Sequence, residues 1–214
     1  MRVTILTDNK NSWVIPYAIQ LFNELRERGI DVTHIYKKED IPKGGDLLVL
    51  LSCETIIGEE FLKRNKSNIV AHPSKLPHGK GWSPLAWQIL DGKNLIPITL
   101  FEASIKVDDG PIYLLDYIEL EGHELNDEIK SKQGIKTIEM VLKYISDFNN
   151  RIAIPQEGQS TFYPKRDKNS SELDLNKTIN EQFNLLRVVD NEKYPAFFLK
   201  DGVKYFLKIS KESK

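Results

Sequence analysis

NIVAHPSKLPHGKGWSPLAWQIL, residues 68–90, holds an apolar run, an abrupt stop and the start of a new helix. Ile69, Val70 and Ala71 read as a buried strand that ends at His72-Pro73, because proline cannot extend a central ladder. The loop that follows carries Pro77, Gly79 and Gly81. Ser83-Pro84 then opens a helix with Leu85, Ile89 and Leu90, and Ser83 is placed to cap it. A histidine at such a strand end is well placed for chemistry.

Working back from this stretch, Asp46–Ser52 (DLLVLLS) is a continuous apolar run, the mark of a parallel strand covered on both faces. Arg2–Leu6 is a short β-branched run followed by a polar loop. Val14, Ala18, Leu21 and Leu25 then recur at helical spacing, which predicts an amphipathic helix closed by Gly29. Asp31–Tyr36 reads as a further strand. The alternation predicts a Rossmann-like α/β fold with a mostly parallel twisted sheet and ligands at the carboxyl ends of its strands. His72 and the loop Asp8–Trp13 lie at such ends. That loop lacks the glycines of a dinucleotide or P-loop fingerprint, so oxidoreductase and NTPase readings are weak.

Working forward, Pro97–Ala103 and Pro111–Ile118 read as strands joined around Val107-Asp108-Asp109-Gly110, itself a hairpin signal. A long helix is expected over Asn126–Asn149, with Ile135, Ile138, Leu142 and Ile145 on one face. Near Arg151 the composition turns polar and turn-rich. This marks a boundary between a main domain, residues 1–150, and a small α+β appendage, residues 151–214. The appendage is expected to hold a helix, Thr178–Val189, and two strands, Ala196–Leu199 and Lys204–Ile209, joined by Lys200-Asp201-Gly202-Val203, and to pack on the main domain because it is too poor in apolar residues to stand alone.

Among 214 residues, 30 Lys+Arg stand against 31 Asp+Glu, so no basic field recruits nucleic acid or an anionic membrane. The one cysteine, Cys53, excludes an internal disulfide and fits a reducing cytoplasm. No apolar segment reaches the roughly eighteen residues of a membrane span, and MRVTILTDNK lacks a signal-peptide core. A soluble cytoplasmic protein is expected, and no metal ligands are assigned.

HPSKLPHGKGWSP resembles the HPSLLP-x-x-x-G segment of the formyltransferases that use 10-formyltetrahydrofolate, the family of the glycinamide ribonucleotide and methionyl-tRNA enzymes. GWSP, FEASIKVDDGPIY and, in the tail, FYPKR and LLRVVDNEKYPAFFLKDGVKYFLKI most resemble members that formylate the amine of a nucleotide-linked amino sugar. The likeness runs over nearly the whole chain. It implies a Rossmann-like formyltransferase fold and a formyl transfer from 10-formyltetrahydrofolate to such a sugar in glycan biosynthesis. UDP-4-amino-4,6-dideoxy-N-acetyl-altrosamine, or a similar UDP- or dTDP-4-amino-4,6-dideoxy sugar, is the implied acceptor. By the same resemblance His72 is the catalytic histidine and Asp108 the catalytic aspartate. The family trio is Asn-x-His followed by Asp-x-Gly, and here the Asn position is Val70, which has no donor for the formyl oxygen. Asn68, Ser52, Cys53 and Glu102 are candidate substitutes. That departure keeps open a binding protein that has lost catalysis. A methionyl-tRNA formyltransferase is the other alternative, disfavoured by the short tail and the missing basic excess.

Formyl transfer to an amine needs a neutral nucleophile, stabilisation of an oxyanion and a proton for the departing nitrogen. Histidine carries protons near neutrality and a carboxylate orients it, so His72 and Asp108 would divide that work. From the residues alone, His72 is equally a turn histidine bonded to backbone, and Asp108-Asp109-Gly110 plain turn chemistry. The resemblance places the folate ring between Cys53–Ile57 and Val107–Gly110, with Cys53, Ile57, Val107 and Gly110 as contacts. Asn9, Lys10 and Ser12 are candidates for sugar or phosphate oxygens and Trp13 for stacking, against a plainer reading of Ser12 as a helix cap and Trp13 as core. Lys80 is a natural diphosphate partner, and Trp82 and Glu102 join it on the substrate side. In the tail, Tyr163, Arg166, Arg187 and Tyr194 form a candidate ring for a pyrimidine base or, equally, anchors to the main domain. His34, His78 and His123 read as surface residues. An exposed strand edge in the tail offers a surface for a homodimer.

Overall fold

The computed structural model describes residues 1–212. In chain order the elements are β1 (Arg2–Leu6), α1 (Ile15–Glu27), β2 (Asp31–Ile35), β3 (Gly45–Leu50), α2 (Glu59–Leu62), β4 (Asn65–His72), β5 (Lys80–Gly81) and α3 (Pro84–Leu90). They continue as β6 (Leu95–Glu102), β7 (Ile112–Glu119), α4 (Asn126–Ser146), β8 (Phe162–Tyr163), α5 (Phe183–Val188), β9 (Ala196–Lys200) and β10 (Val203–Leu207). The main sheet has the order β2-β1-β3-β4-β6-β7. Its first four strands are parallel, and β6 and β7 each run antiparallel to the neighbour before them.

The unbroken apolar character of β3 follows from this layering. Leu47 and Val49 point into one core with α1, α3 and α4, while Leu48 and Leu50 point into a second, smaller core with Ile57, Phe61 and Leu62. Both faces are covered, so no alternation appears in the sequence. Strand order reverses between β1 and β3, the place where an open α/β sheet forms a crevice at its carboxyl edge. The loops after β1, β3 and β4 meet there.

Of the face expected on the long helix, Ile138 is buried and Leu142 and Ile145 pack half-buried against the core, but Ile135 is exposed, and the fully buried stripe is centred one position earlier, on Ile129, Gly134, Thr137, Ile138, Val141 and Tyr144. Close approach of α1 sets that phase, since a Cβ at Gly134 would run into the Tyr17 ring. Neither expected serine cap forms. Val14 takes the N-cap position of α1, and Ser83, in the left-handed region at φ 53°, makes no side-chain bond to α3. The tail helix is shorter than Thr178–Val189, because residues 180–182 form a 3-10 turn before α5. Asp201 and Gly202, at φ 53° and 77°, close the β9–β10 hairpin with the two positive φ values that a tight turn of this hand requires. Among the described residues no helix is long and apolar enough to cross a membrane.

A buried ion pair fastens the tail to the loops that precede β6 and α4. Arg187, 1% exposed, donates to the Glu124 carbonyl at 3.1 Å and carboxylate at 3.3 Å, and to the side-chain oxygens of Asn94 and Asn184, each at 3.0 Å. Burial pushes the Glu124 carboxyl up, but hydrogen bonds from Lys132 and the Glu121 amide outweigh it and hold its pKa at about 2. A depressed carboxyl contributes stability that is complete above its unfolded value of 4.5 and drains as pH falls towards about 2. Urea unfolding across that window should show the wild type losing on the order of 3 kcal/mol more than Glu124→Gln.

Candidate active site

His72 is the last residue of β4, where Pro73 stops the ladder. Its Nε2 lies 2.8 Å from the carbonyl of Gly79, which can only accept, so Nε2 carries a proton. Its Nδ1 lies 3.7 Å from Oδ1 of Asp108. The other Asp108 oxygen accepts from the Gly81 amide at 2.8 Å, and Asp108 itself sits in the left-handed region, at φ 50°. A doubly protonated ring offers one proton to the Gly79 carbonyl and turns the other towards the carboxylate. A neutral ring, its proton held on Nε2, turns a lone pair to the carboxylate. Nδ1 is therefore the atom at which a proton is gained or lost.

The loop that carries Asp108 is closed at its base by Glu102 and Pro111, whose amide and carbonyl meet at 2.9 Å. Gly110 fits there because it has no side chain, since a Cβ would run into the Glu102 carbonyl. Lys80, whose side chain is 3% exposed, pairs with Asp109 at 2.5 Å, and its hydrogen bond holds the Asp109 carboxyl below the usual carboxylate range. Three successive residues, Gly79, Lys80 and Gly81, thus each contact the histidine or the loop that faces it.

Beside this pair opens a cavity of about 830 Å³. Of the residues singled out from the sequence, its wall includes His72, Asp108, Cys53, Ile57, Val107, Asn9, Ser12, Trp13, Trp82, Arg166 and Tyr194. Lys10, Lys80, Glu102, Gly110, Tyr163 and Arg187 are not on it. Lys10 lies 5.1 Å from the Tyr36 ring centre, and Tyr163 stacks on Trp87. Lys80 and Arg187 are buried against Asp109 and Glu124 and present no charge to a ligand. Glu102 accepts from Ser67, Tyr113 and the Asn68 amide at 2.6 to 2.7 Å, so its carboxylate is spent on holding β4, β6 and β7 together. The sequence offered no warning of this, because carboxylates at strand ends serve ligands and frameworks alike. His34 is half-buried and hydrogen-bonded to Thr7, with burial pulling its pKa down, while His78 and His123 are exposed.

Val70 lines the cavity, pairs with Leu50 across the sheet and, like Cys53 and Ala103, packs half-buried against the smaller core. Asn68 gives its amide protons to Leu62 and Glu102, and the Cys53 thiol, raised to about 12 mainly by burial, points to the Leu6 carbonyl. Of the four candidate substitutes, Ser52 remains on the wall without such an engagement.

The wall also holds cations that sequence reading missed: Lys106, Lys130, Lys165 and Lys193. Lys130 is paired with Asp190. Lys106, Lys165, Arg166 and Lys193 have no carboxylate within ion-pair distance among the described residues: Lys165 lies 4.3 Å from the centre of the Trp82 ring, Lys193 bonds the Asn11 carbonyl, and Arg166 bonds the Ser170 carbonyl. Nε of Arg166 is buried with no partner among the described residues, and burial works against its charge. The adjacent pair Lys165-Arg166 was the available signal, yet nothing in sequence separates it from an ordinary solvated turn. Gln156, bonded to the Asp108 loop, carried no signal at all.

The chain's residues 18–142 match the family model described as formyl transferase. It is 28% identical over 145 residues to the methionyl-tRNA formyltransferase of Clostridium beijerinckii, an alignment covering 66% of this chain and 47% of that protein. The chain spans about half the length of the first curated relatives it matches. A methionyl-tRNA formyltransferase from Clostridium thermocellum superposes with TM-score 0.82 at 21% identity, covering 100% of this chain and 94% of that one. A sugar N-formyltransferase from Shewanella superposes with TM-score 0.73 at 19% identity, covering 100% and 99%. At these identities the superpositions establish a shared fold.

Proposed function

The chain belongs to the formyl transferase family, and on that premise we propose that it is an N-formyltransferase acting on the amine of a nucleotide-linked amino sugar, with 10-formyltetrahydrofolate as donor. The observation that carries this reading is the His72–Asp108 pair at a cavity that also presents Lys106, Lys165, Arg166 and Lys193. At about 830 Å³ the cavity is within the range that holds cofactor-sized ligands. A wall with both a proton-carrying pair and unneutralised cations fits an anionic substrate whose reacting group is a base.

The residues present fit the donor. The loop 53–57 is held rigid by Asp8, whose Oδ2 accepts from the amides of Glu54 and Thr55 and from the Thr55 hydroxyl. Beside it Ile57, Val70 and Phe101 give an apolar floor for a flat ring. Cys53, Ile57 and Val107 would hold that ring, and the donor supplies a formyl group carried on nitrogen. His72 takes the proton released from the acceptor amine at Nδ1 and returns it to the departing nitrogen. Asp108 faces the ring while it is charged, and Gly79 keeps it oriented. The acceptor's diphosphate lies against Lys165, Arg166 and Lys193, and its base against Trp82 or Tyr194. The division into residues 1–150 and a small appendage remains our reading of the chain, with the appendage lending Arg166, Lys193 and Tyr194 to the shared cavity. A cytoplasmic site of action suits both substrates.

Charge-assisted hydrogen bonds contribute about 1.5–3 kcal/mol each. Arg166→Ala should therefore raise KM for the nucleotide sugar by roughly ten- to a hundredfold and move kcat little, as expected for a group that binds ground and transition states alike. Steady-state kinetics at saturating donor measure both. The methionyl-tRNA reading is favoured by the named sequence relatives. Incubation with 10-formyltetrahydrofolate and a panel of UDP- and dTDP-linked amino sugars, with initiator methionyl-tRNA in parallel, separates the two. Turnover with a sugar supports the proposal, while turnover with tRNA alone, or binding without turnover, rejects it.

A further inference from the structure

The segment from Arg151 to Tyr163 crosses both loops of the candidate site. At its start the Arg151 guanidinium sits 3.6 Å from the Phe148 ring centre and 4.6 Å from that of Tyr144. Ile154 then exchanges backbone bonds with Ile112, the first residue of β7, at 2.7 and 2.8 Å. Two residues later the Gln156 amide nitrogen donates to the carbonyls of Asp108, at 2.9 Å, and Gly110, at 2.8 Å. Further on, Thr161 receives the Gly79 amide on its hydroxyl at 2.8 Å and the Lys80 amide on its carbonyl at 2.9 Å, and the Trp82 amide reaches the Tyr163 carbonyl at 3.1 Å. One extended segment thus bonds the loop that presents Asp108 and the loop that supplies Gly79 and Gly81.

The orientation of Gln156 is dictated by its neighbours. Two carbonyl oxygens can only accept, so the amide nitrogen must face them, although this leaves the Gln156 Oε1 buried with no partner among the described residues. Asp108 is the residue between Val107 and Gly110 whose backbone occupies the left-handed region, where a non-glycine residue persists only when its surroundings hold it. Asp109 is held from the other side by Lys80. The Asp108 and Gly110 carbonyls, splayed by that backbone, converge on one donor.

We infer that residues 154–163 form a positioning strap whose Gln156 fixes Asp108 opposite His72, and that Gln156 is a positioning residue of the site. It bonds the backbone of the loop and touches neither imidazole nor carboxylate. Its effect on turnover presupposes the formyl-transfer reading, whereas its effect on loop geometry does not.

Gln156→Met keeps the length of the side chain and removes the donor. Misplacing a reacting group by about an ångström costs up to about a hundredfold. The variant should lower kcat by roughly ten- to a hundredfold and leave both KM values within about twofold, because it binds neither substrate. In an Asp108→Asn background the same substitution should add no further loss, since it acts through Asp108. Gln156→Lys, which restores a donor at similar reach, should recover part of kcat. A kcat within about twofold of wild type, or an equal loss with and without Asp108, overturns the inference. Should the wild type turn over no acceptor, the formyl-transfer reading falls, and a crystal structure of Gln156→Met decides the strap separately: a displaced 107–110 loop supports it and an unmoved Asp108 overturns it.

Discussion

Replacing His72 with alanine is expected to lower kcat by about two to four powers of ten, the usual contribution of a positioned acid–base group. The His72 side chain is 9% exposed and bonded on one side to Gly79, which fixes the orientation of its ring towards Asp108. Among the described residues no other histidine lines the cavity. The neighbouring Lys80 cannot stand in, because its ammonium is committed to Asp109. Removal should leave the fold in place, since His72 lies at the strand end and beside open space, and circular dichroism would verify that. Asp108→Asn should give a loss of similar order: the amide still meets Gly81 but no longer balances an imidazolium. A folded His72→Ala protein with near-normal turnover would remove the chemistry proposed for the site.

The second large effect is a gain. Val70 shares a strand face with His72, two residues away, and lines the same cavity. Loss of one oxyanion donor costs other enzymes about a hundred- to a thousandfold. Val70→Asn supplies an amide where the wall is now apolar, and we expect kcat to rise by roughly ten- to a hundredfold. The same change sets an amide against the smaller apolar core on which Val70 packs, so the ligand-free protein should lose about 1–3 kcal/mol of stability. Kinetics and urea unfolding of one variant test both. An unchanged or lower kcat would mean that a donor already present, Ser52 first among them, serves the formyl oxygen.

What the sequence disclosed depended on whether a residue's neighbours in space were also its neighbours in the chain. Of the four parallel strands, β3 and β4 were legible because DLLVLLS and NIVA are apolar runs without alternation, as a sheet covered on both faces requires, and β1 and β2 because they flank a helix of clear amphipathic spacing. The β9–β10 turn was legible because Asp201-Gly202 carries its own backbone preference. The face of α4 was legible only in part: Ile138, Leu142 and Ile145 meet the core, but the burial of Gly134 in place of Ile135 reflects Tyr17, from a helix more than a hundred residues earlier. Arg187 and Arg166 look alike on paper. One meets Glu124 and is consumed, while the other meets no carboxylate among the described residues and lines the cavity, a difference made by the packing of the tail. Gln156 shows the limit most sharply, for its role depends on two backbone carbonyls, which leave no trace in composition or spacing.

The most direct test is a crystal structure of the protein with tetrahydrofolate and a UDP-linked amino sugar bound together. The sugar's amine is expected at about 3 Å from Nδ1 of His72, inside the cavity that Asp108 and Trp82 line, with the diphosphate on Lys165 and Arg166. An amine bound away from His72, or a sugar held outside that cavity, would contradict it.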